Sequence, residues 1–211
     1  MFGENPIESA GSTGKGDIVK KSTKESAQKQ AKVISSETVF QGRMFAIKRE
    51  RIIEPGRIEA TREIVAHKGS VVVLPVFPDG RILLIRQYRH AAGQFLWELV
   101  AGHREEGESF REAAPRELQE ETGYAAKKFS KLLDIFPSPG LLSERMEIFL
   151  AEGLTEGTAH PEEDEKIDRR IISLTEAERW IRSGTIKDAK SVAGILYYAK
   201  FAARRQRNRK S

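Results

Sequence analysis

Two segments of the chain are apolar almost without a break. "SVVVLPVF" (Ser70–Phe77) and "RILLIRQYR" (Arg81–Arg89) flank the turn pair Asp79-Gly80. Short apolar runs bounded by turn residues predict central strands buried on both faces. Upstream, β-favouring residues recur from Val33 to His67. There "FAIKRERIIE" and "RIEATREIVAH" flank Pro55-Gly56 and predict a hairpin.

Downstream, a shorter strand is expected at Leu96–Ala101, followed by a loop and a helix across Gly102–Tyr124. "ERMEIFLAEGL" (Glu144–Leu154) turns Met146, Ile148 and Leu150 to one side, and "RRIISL" reads as a short strand. Two helices close the chain. The first starts at "SLTEAERWI", where Thr175 can cap with Glu178 three residues on. The second is "DAKSVAGILYYAKFAARR". Strands interleaved with helices predict an α/β fold of the α+β sandwich type: a mixed sheet between helical layers, with an N-terminal β-rich subdomain. The expected organisation is a polar segment at 1–32, a β subdomain at 33–66, the main domain at 67–203 and a basic tail at 204–211.

Composition narrows the class. At 39% hydrophobic residues the chain can build a core. It has no cysteine, which excludes disulfides, thiolate metal sites and cysteine nucleophiles, and fits a cytoplasmic protein. No apolar run approaches the roughly 20 residues of a membrane span, and no secretory leader is expected. Residues 1–32, rich in Ser, Lys, Gly and Gln, read as disordered, with at most a frayed helix near Lys24–Lys32. The net charge of +5 sits at the ends, in Arg204, Arg205, Arg207, Arg209 and Lys210 and in six lysines set against four acids before Val33. The body is slightly acidic, so nucleic acid is not the expected partner.

Chemistry concentrates in "GHREEGESFREAAPRELQEETGY" (Gly102–Tyr124). Glu117 and Glu121 are four apart and share a helix face, with Glu120 beside them. Like charges at this spacing cost an isolated helix roughly 0.2–0.5 kcal/mol per pair. Pairs of this kind are common on solvated helices. Gly123 is a natural helix stop. The full spacing is more specific: Gly102, Glu108, Arg116-Glu117-Leu118, Glu120-Glu121, Gly123 and Tyr124 fill every defined position of the pattern G-x5-E-x7-R-E-U-x-E-E-x-G-U, where U is apolar. The chain thereby resembles the Nudix hydrolases. A hard cation explains the crowding, because Mg²⁺ takes oxygen ligands in octahedral geometry and keeps waters for substrate and nucleophile.

The flanks narrow the resemblance. "LWELVAGH" before the box and "FPSPGLLSER" (Phe136–Arg145) after it are similar to the ADP-ribose pyrophosphatase branch, including a proline fifteen residues past the box, Pro139. The resemblance implies Mg²⁺, or Mn²⁺ in its place, held by Glu117, Glu121, Glu165 and the carbonyl of Ala101, with Glu120 close by. It implies that Glu163 activates the water, with Glu162 the alternative base, and that Arg116 pairs with Glu108 as a brace. Arg62 and Glu63 are implied on the adenine side, Arg89 at the phosphates, and Glu98, Pro139 and Arg145 along the substrate, with Phe45 a candidate for stacking. It further implies a homodimer whose β-rich N-terminal region crosses to the other subunit. The expected reaction is hydrolysis of ADP-ribose, or a similar nucleoside diphosphate sugar, to AMP and ribose 5-phosphate. The alternatives are another nucleotide sugar or dinucleotide, a non-catalytic ADP-ribose sensor, or RNA binding through "RRQRNRK".

One residue departs from the relatives. Pro115 falls inside the expected catalytic helix, where proline removes a hydrogen bond and costs roughly 3 kcal/mol. Either a kink there or a helix whose regular part starts near Ala113–Pro115 is expected.

Overall fold

The computed structural model describes residues 30–159 and 166–203. Expectations for residues 1–29, the acidic loop 160–165 and the basic tail 204–211 lie outside the described residues. The N-terminal segment forms a three-stranded antiparallel sheet of β1 (Lys32–Gln41), β2 (Ala46–Glu54) and β3 (Ile58–Ala66), in that order. Pro55-Gly56 turns the hairpin. Gly56 takes φ 88°, and the N–H of Arg57 donates to the carbonyl of Glu54 at 3.0 Å. A type II turn asks for this Pro-Gly order, because its third residue needs positive φ.

The second sheet has seven strands: β4 (Ser70–Val76), β5 (Arg81–Arg89), β6 (Gln94–Glu98), β7 (Val100–His103), β8 (Tyr124–Ile135), β9 (Met146–Glu156) and β10 (Asp168–Ser173). The main path runs β10-β5-β4-β9-β8, with β4 and β9 parallel. Strands β4 and β5 pair only at Val76 and Ile82. Beyond that point they diverge, and the opening is filled by β6 against β5 and β7 against β4. The single strand expected at Leu96–Ala101 is therefore two strands interrupted at Leu99. The break arises because each half serves a different neighbour; the N–H of Leu99 donates instead to Ser191 Oγ at 2.8 Å.

The buried strands feed two cores in alternation. Val72, Leu74, Ile82, Leu84, Ile148 and Leu150 face one side, under helices α2 (Leu174–Arg182) and α3 (Ala189–Tyr197). Val71, Val73, Leu83, Ile85, Phe149 and Ala151 face the other, under helix α1 (Phe110–Thr122). Burial on both faces is why the sequence reads as continuous apolar runs and not as alternation. The mixed sheet between helices is the expected architecture. Helix α2 is capped by Ser173, which accepts from the N–H of Glu176, and not by Thr175: the first turn starts directly at the end of β10. Helix α3 continues as a π-helical turn at Tyr198–Ala202. No helix among the described residues is long and apolar enough to cross a membrane.

The small sheet touches the large one through backbone. Val65 N–H donates to Leu141 at 2.8 Å, Ser143 N–H donates to Val65 at 3.0 Å, and His67 N–H donates to Ser143 Oγ at 3.0 Å. The end of β3 is thereby tied to the loop before β9. Strand β1 is exposed along its whole length, including Val33, Ile34, Val39 and Phe40.

Candidate active site

Helix α1 carries the central carboxylates. Ser109 Oγ accepts from the N–H of Glu112 while the Glu112 carboxylate accepts from the N–H of Ser109, a reciprocal cap. Gly123, at φ 73°, ends the helix. Ala113, Ala114 and Leu118 press onto the sheet, and the same orientation turns Glu117 and Glu121 inward, at 8% and 5% exposure. Pro115 produces no late start, since the helix is capped at Ser109 and runs from Phe110. Its ring lies on the exposed side, and Arg111, whose carbonyl loses the bond, is exposed too, so water can satisfy that carbonyl.

The floor of the site is β7. A Cβ on Gly102 would lie 2.0 Å from Glu117 Cδ and 2.1 Å from both carboxylate oxygens. Only glycine leaves room for that carboxylate. One residue earlier, the N–H of Ala101 donates to Glu121 Oε2 at 3.3 Å. Arg116 braces the entrance. Its Nε and Nη2 donate to the two oxygens of Glu108 at 3.0 and 2.8 Å, Nη2 also reaches the carbonyl of His103 at 2.9 Å, and Nη1 reaches Glu117 and Glu120, each at 2.9 Å. The hydrogen bonds from Arg116 hold the Glu108 carboxyl below its ordinary range, and the same bonds raise the guanidinium further.

A second ion network borders the carboxylates. Arg89 Nε and Nη2 donate to the two oxygens of Glu98 at 3.0 and 2.8 Å, and Lys190 Nζ meets Glu98 Oε2 at 2.5 Å and Asp188 Oδ1 at 3.0 Å. Burial pushes the Glu98 carboxyl up, but Arg89 and Lys190 together outweigh it, and the group ends below its ordinary range. Glu98 is 1% exposed, so its carboxylate is sealed beneath Arg89 and does not face the cleft.

Arg89, Ala101, Gly102, Arg116, Glu117, Glu120, Glu121 and Lys190 line one cleft of about 690 Å³. Other candidates stand elsewhere. Arg62 and Glu63 lie on the exposed small sheet, where they pair with Glu54 and Arg49. Arg145 pairs with Asp134 and Glu147, and Pro139 is exposed in the loop before β9. Phe45 packs its ring 5.8 Å from that of Phe40. Glu162, Glu163 and Glu165 lie outside the described residues. Sequence reasoning did not anticipate Arg43, Met44, His103, Glu144 or Lys190 along the cleft. For Lys190 a signal existed: a lysine in the first turn of a helix opposes the helix dipole, so some other partner must hold it.

Two buried carboxylates side by side and a glycine cradle make an all-oxygen donor set suited to a hard divalent cation. Comparison with known proteins agrees with this chemistry. The family model for the NUDIX domain matches residues 66–193. An "ADP-ribose pyrophosphatase" of Bacillus subtilis (strain 168) is 36% identical over 170 residues, covering 80% of this chain and 92% of that protein. The "ADP-ribose pyrophosphatase" of Mycobacterium tuberculosis (strain ATCC 25618 / H37Rv) is 36% identical over 173 residues, covering 81% and 84%. A "methanol dehydrogenase activator" of Bacillus methanolicus is 34% identical over 170 residues, covering 80% and 92%. Among solved structures, a crystal structure of an ADP compounds hydrolase superposes with a TM-score of 0.71 at 22% identity, covering 83% of this chain and 96% of that one.

Proposed function

The chain belongs to the NUDIX family, and from that premise we propose that it hydrolyses the diphosphate of ADP-ribose, or of a similar nucleoside diphosphate sugar, to AMP and ribose 5-phosphate. The observation that carries the reading is the convergence of Glu117, Glu121, the Ala101 backbone and Arg89 on one cleft. Family members use divalent metals; Mg²⁺, or Mn²⁺ in its place, would neutralise phosphate charge and lower the pKa of water when bound. Glu117, Glu121 and the carbonyl of Ala101 would hold it, with Glu165 as a further ligand.

The remaining roles belong to this chain's side chains. Water adds to one phosphorus, the P–O–P bridge breaks, and Glu163 accepts the proton of the attacking water. The guanidinium of Arg89 offers its outward N–H groups to the diphosphate oxygens. Glu98 and Lys190 fix the angle of that guanidinium. Arg116 and Glu108 hold the loop before α1 in shape, and Glu120 sits at the entrance. Pro139 and Arg145 belong to the loop that would border the sugar.

The same reading makes the protein a homodimer. Strand β1 exposes Val33, Ile34, Val39 and Phe40 along one edge of the small sheet, an apolar strip that a second copy can cover. Arg62 and Glu63 on that sheet would then reach the adenine bound by the partner. Sensing without turnover is less favoured, since every box glutamate is retained.

The test is incubation of the full chain with ADP-ribose and Mg²⁺, with nucleotides separated by chromatography. AMP and ribose 5-phosphate in equal amounts are expected. No AMP with either Mg²⁺ or Mn²⁺ would overturn the reading. A Glu163→Gln variant that keeps full rate would overturn the base assignment alone.

A further inference from the structure

We propose that His67, His103 and Glu144 form a second cation site, for a nitrogen-preferring divalent ion of the Zn²⁺ type, distinct from the carboxylates of α1. One ring nitrogen from each histidine and one oxygen of Glu144 lie within 4.8 Å of one another. His67 follows the end of β3, His103 ends β7, and Glu144 comes from the loop before β9. His67 Nδ1 is 3.6 Å from Glu144 Oε1. His103 Nδ1 is 3.2 Å from Ser70 Oγ, whose single proton is donated to Glu144 Oε1. The N–H of Gly69 donates to His67 Nδ1 at 3.0 Å, which marks Nδ1 as the unprotonated nitrogen; an ion bound there would take that lone pair in place of the Gly69 N–H.

Glu144 supplies the independent observation. It is 7% exposed, yet among the described residues no lysine or arginine pairs with it. The adjacent Arg145 turns away to Asp134 and Glu147. A buried carboxylate is ordinarily paired with a cation or bound to a metal. Here two imidazoles and a hydroxyl surround it. Two nitrogens and one carboxylate oxygen suit Zn²⁺, Co²⁺ or Ni²⁺, whereas Mg²⁺ prefers oxygen alone. Tetrahedral bonds of about 2.0–2.1 Å set ligand atoms roughly 3.4 Å apart. The cluster needs to contract by at most about 1.4 Å to reach that spacing, and His103 is the exposed one of its three side chains. Ser70 already orients the carboxylate, as partners behind metal ligands do. An ion here would pin the end of the small sheet to the floor of the cleft.

The experiment uses the full chain carrying Glu117→Gln and Glu121→Gln, which silences the carboxylate site, after removal of metals with a chelator. Co²⁺ is titrated in and visible absorption is recorded. One equivalent is expected to bind, with the absorption of imidazole-ligated Co²⁺, to be displaced by Zn²⁺ and to resist millimolar Mg²⁺. Adding His103→Ala is expected to weaken Co²⁺ binding at least tenfold. His103 is exposed, so this variant keeps its fold, which a circular dichroism melt verifies. Absence of the Co²⁺ band, or a band that survives His103→Ala and Glu144→Gln unchanged, would overturn the site. The cluster would then be a hydrogen-bond network alone. Neither result depends on which diphosphate the protein cleaves.

Discussion

The carboxylate of Glu117 occupies the space where a side chain on Gly102 would stand, 2.0 Å from the position of its Cβ. Gly102→Ala therefore has to move the carboxylate or the helix behind it. The variant is expected to fold and to lose roughly 10–100-fold in Mg²⁺ affinity, by analogy with disturbed metal-site partners. Steady-state rates across a Mg²⁺ titration measure this; an unchanged Mg²⁺ dependence would contradict the role given to Glu117.

Pro115 interrupts the hydrogen bonding of an otherwise capped helix. Pro115→Ala restores an N–H donor on an exposed position. A gain of about 1–2 kcal/mol is expected, below the full helix-interior cost because proline also restricts the unfolded chain. Urea midpoints at a constant m-value report it. A loss of stability would mean that proline is needed there for packing.

Glu108 is held below its ordinary carboxyl range by Arg116. A depressed carboxyl contributes stability above its unfolded pKa of about 4.3, and the contribution is lost as pH falls through the lower folded value. Glu108→Gln is therefore expected to be less stable than the parent at pH 7, with the gap narrowing toward pH 3. Denaturant midpoints of both proteins at the two pH values decide the matter. A gap that stays constant with pH would remove the electrostatic explanation.

Lys190 separates a structural role from a substrate role. Lys190→Met removes a charged hydrogen bond to Glu98 but leaves Arg89 in place. A loss of about 1.5–3 kcal/mol is expected. The proposed reaction adds a second reading: KM for ADP-ribose rises more than kcat falls, and Lys190→Arg recovers most of it. An effect on stability without any on KM would confine Lys190 to the fold.

Much of this was legible in the sequence because short-range rules governed it. The runs at Ser70–Phe77 and Arg81–Arg89 had no other stable fate than buried strands, and the spacing from Gly102 to Tyr124 is local. Strand β8 was not legible. Its lysines, Lys127, Lys128 and Lys131, hide an edge strand whose pairing with β9 is specified by β9. The cap of α2 was misread by two residues because Ser173 with Glu176 and Thr175 with Glu178 both fit the capping spacing, and only the end of β10 selects between them. Lys190 and Glu98 are 92 positions apart, a separation that no window on the chain can span.

The interruption at Leu99 makes chain length a constraint in its own right. Because β6 and β7 belong to different neighbours, the single residue between them sets which way Ala101 and Gly102 face. Shortening this segment by one residue would bring His103 into the space reserved for glycine. The loop Arg104–Gly107 pairs with no strand, yet its length is held too: Arg104 Nε donates to the carbonyl of Glu108, the N–H of Glu105 donates to the Glu108 carboxylate, and that carboxylate meets Arg116. Descendants of this chain should therefore almost never gain or lose residues between 98 and 108.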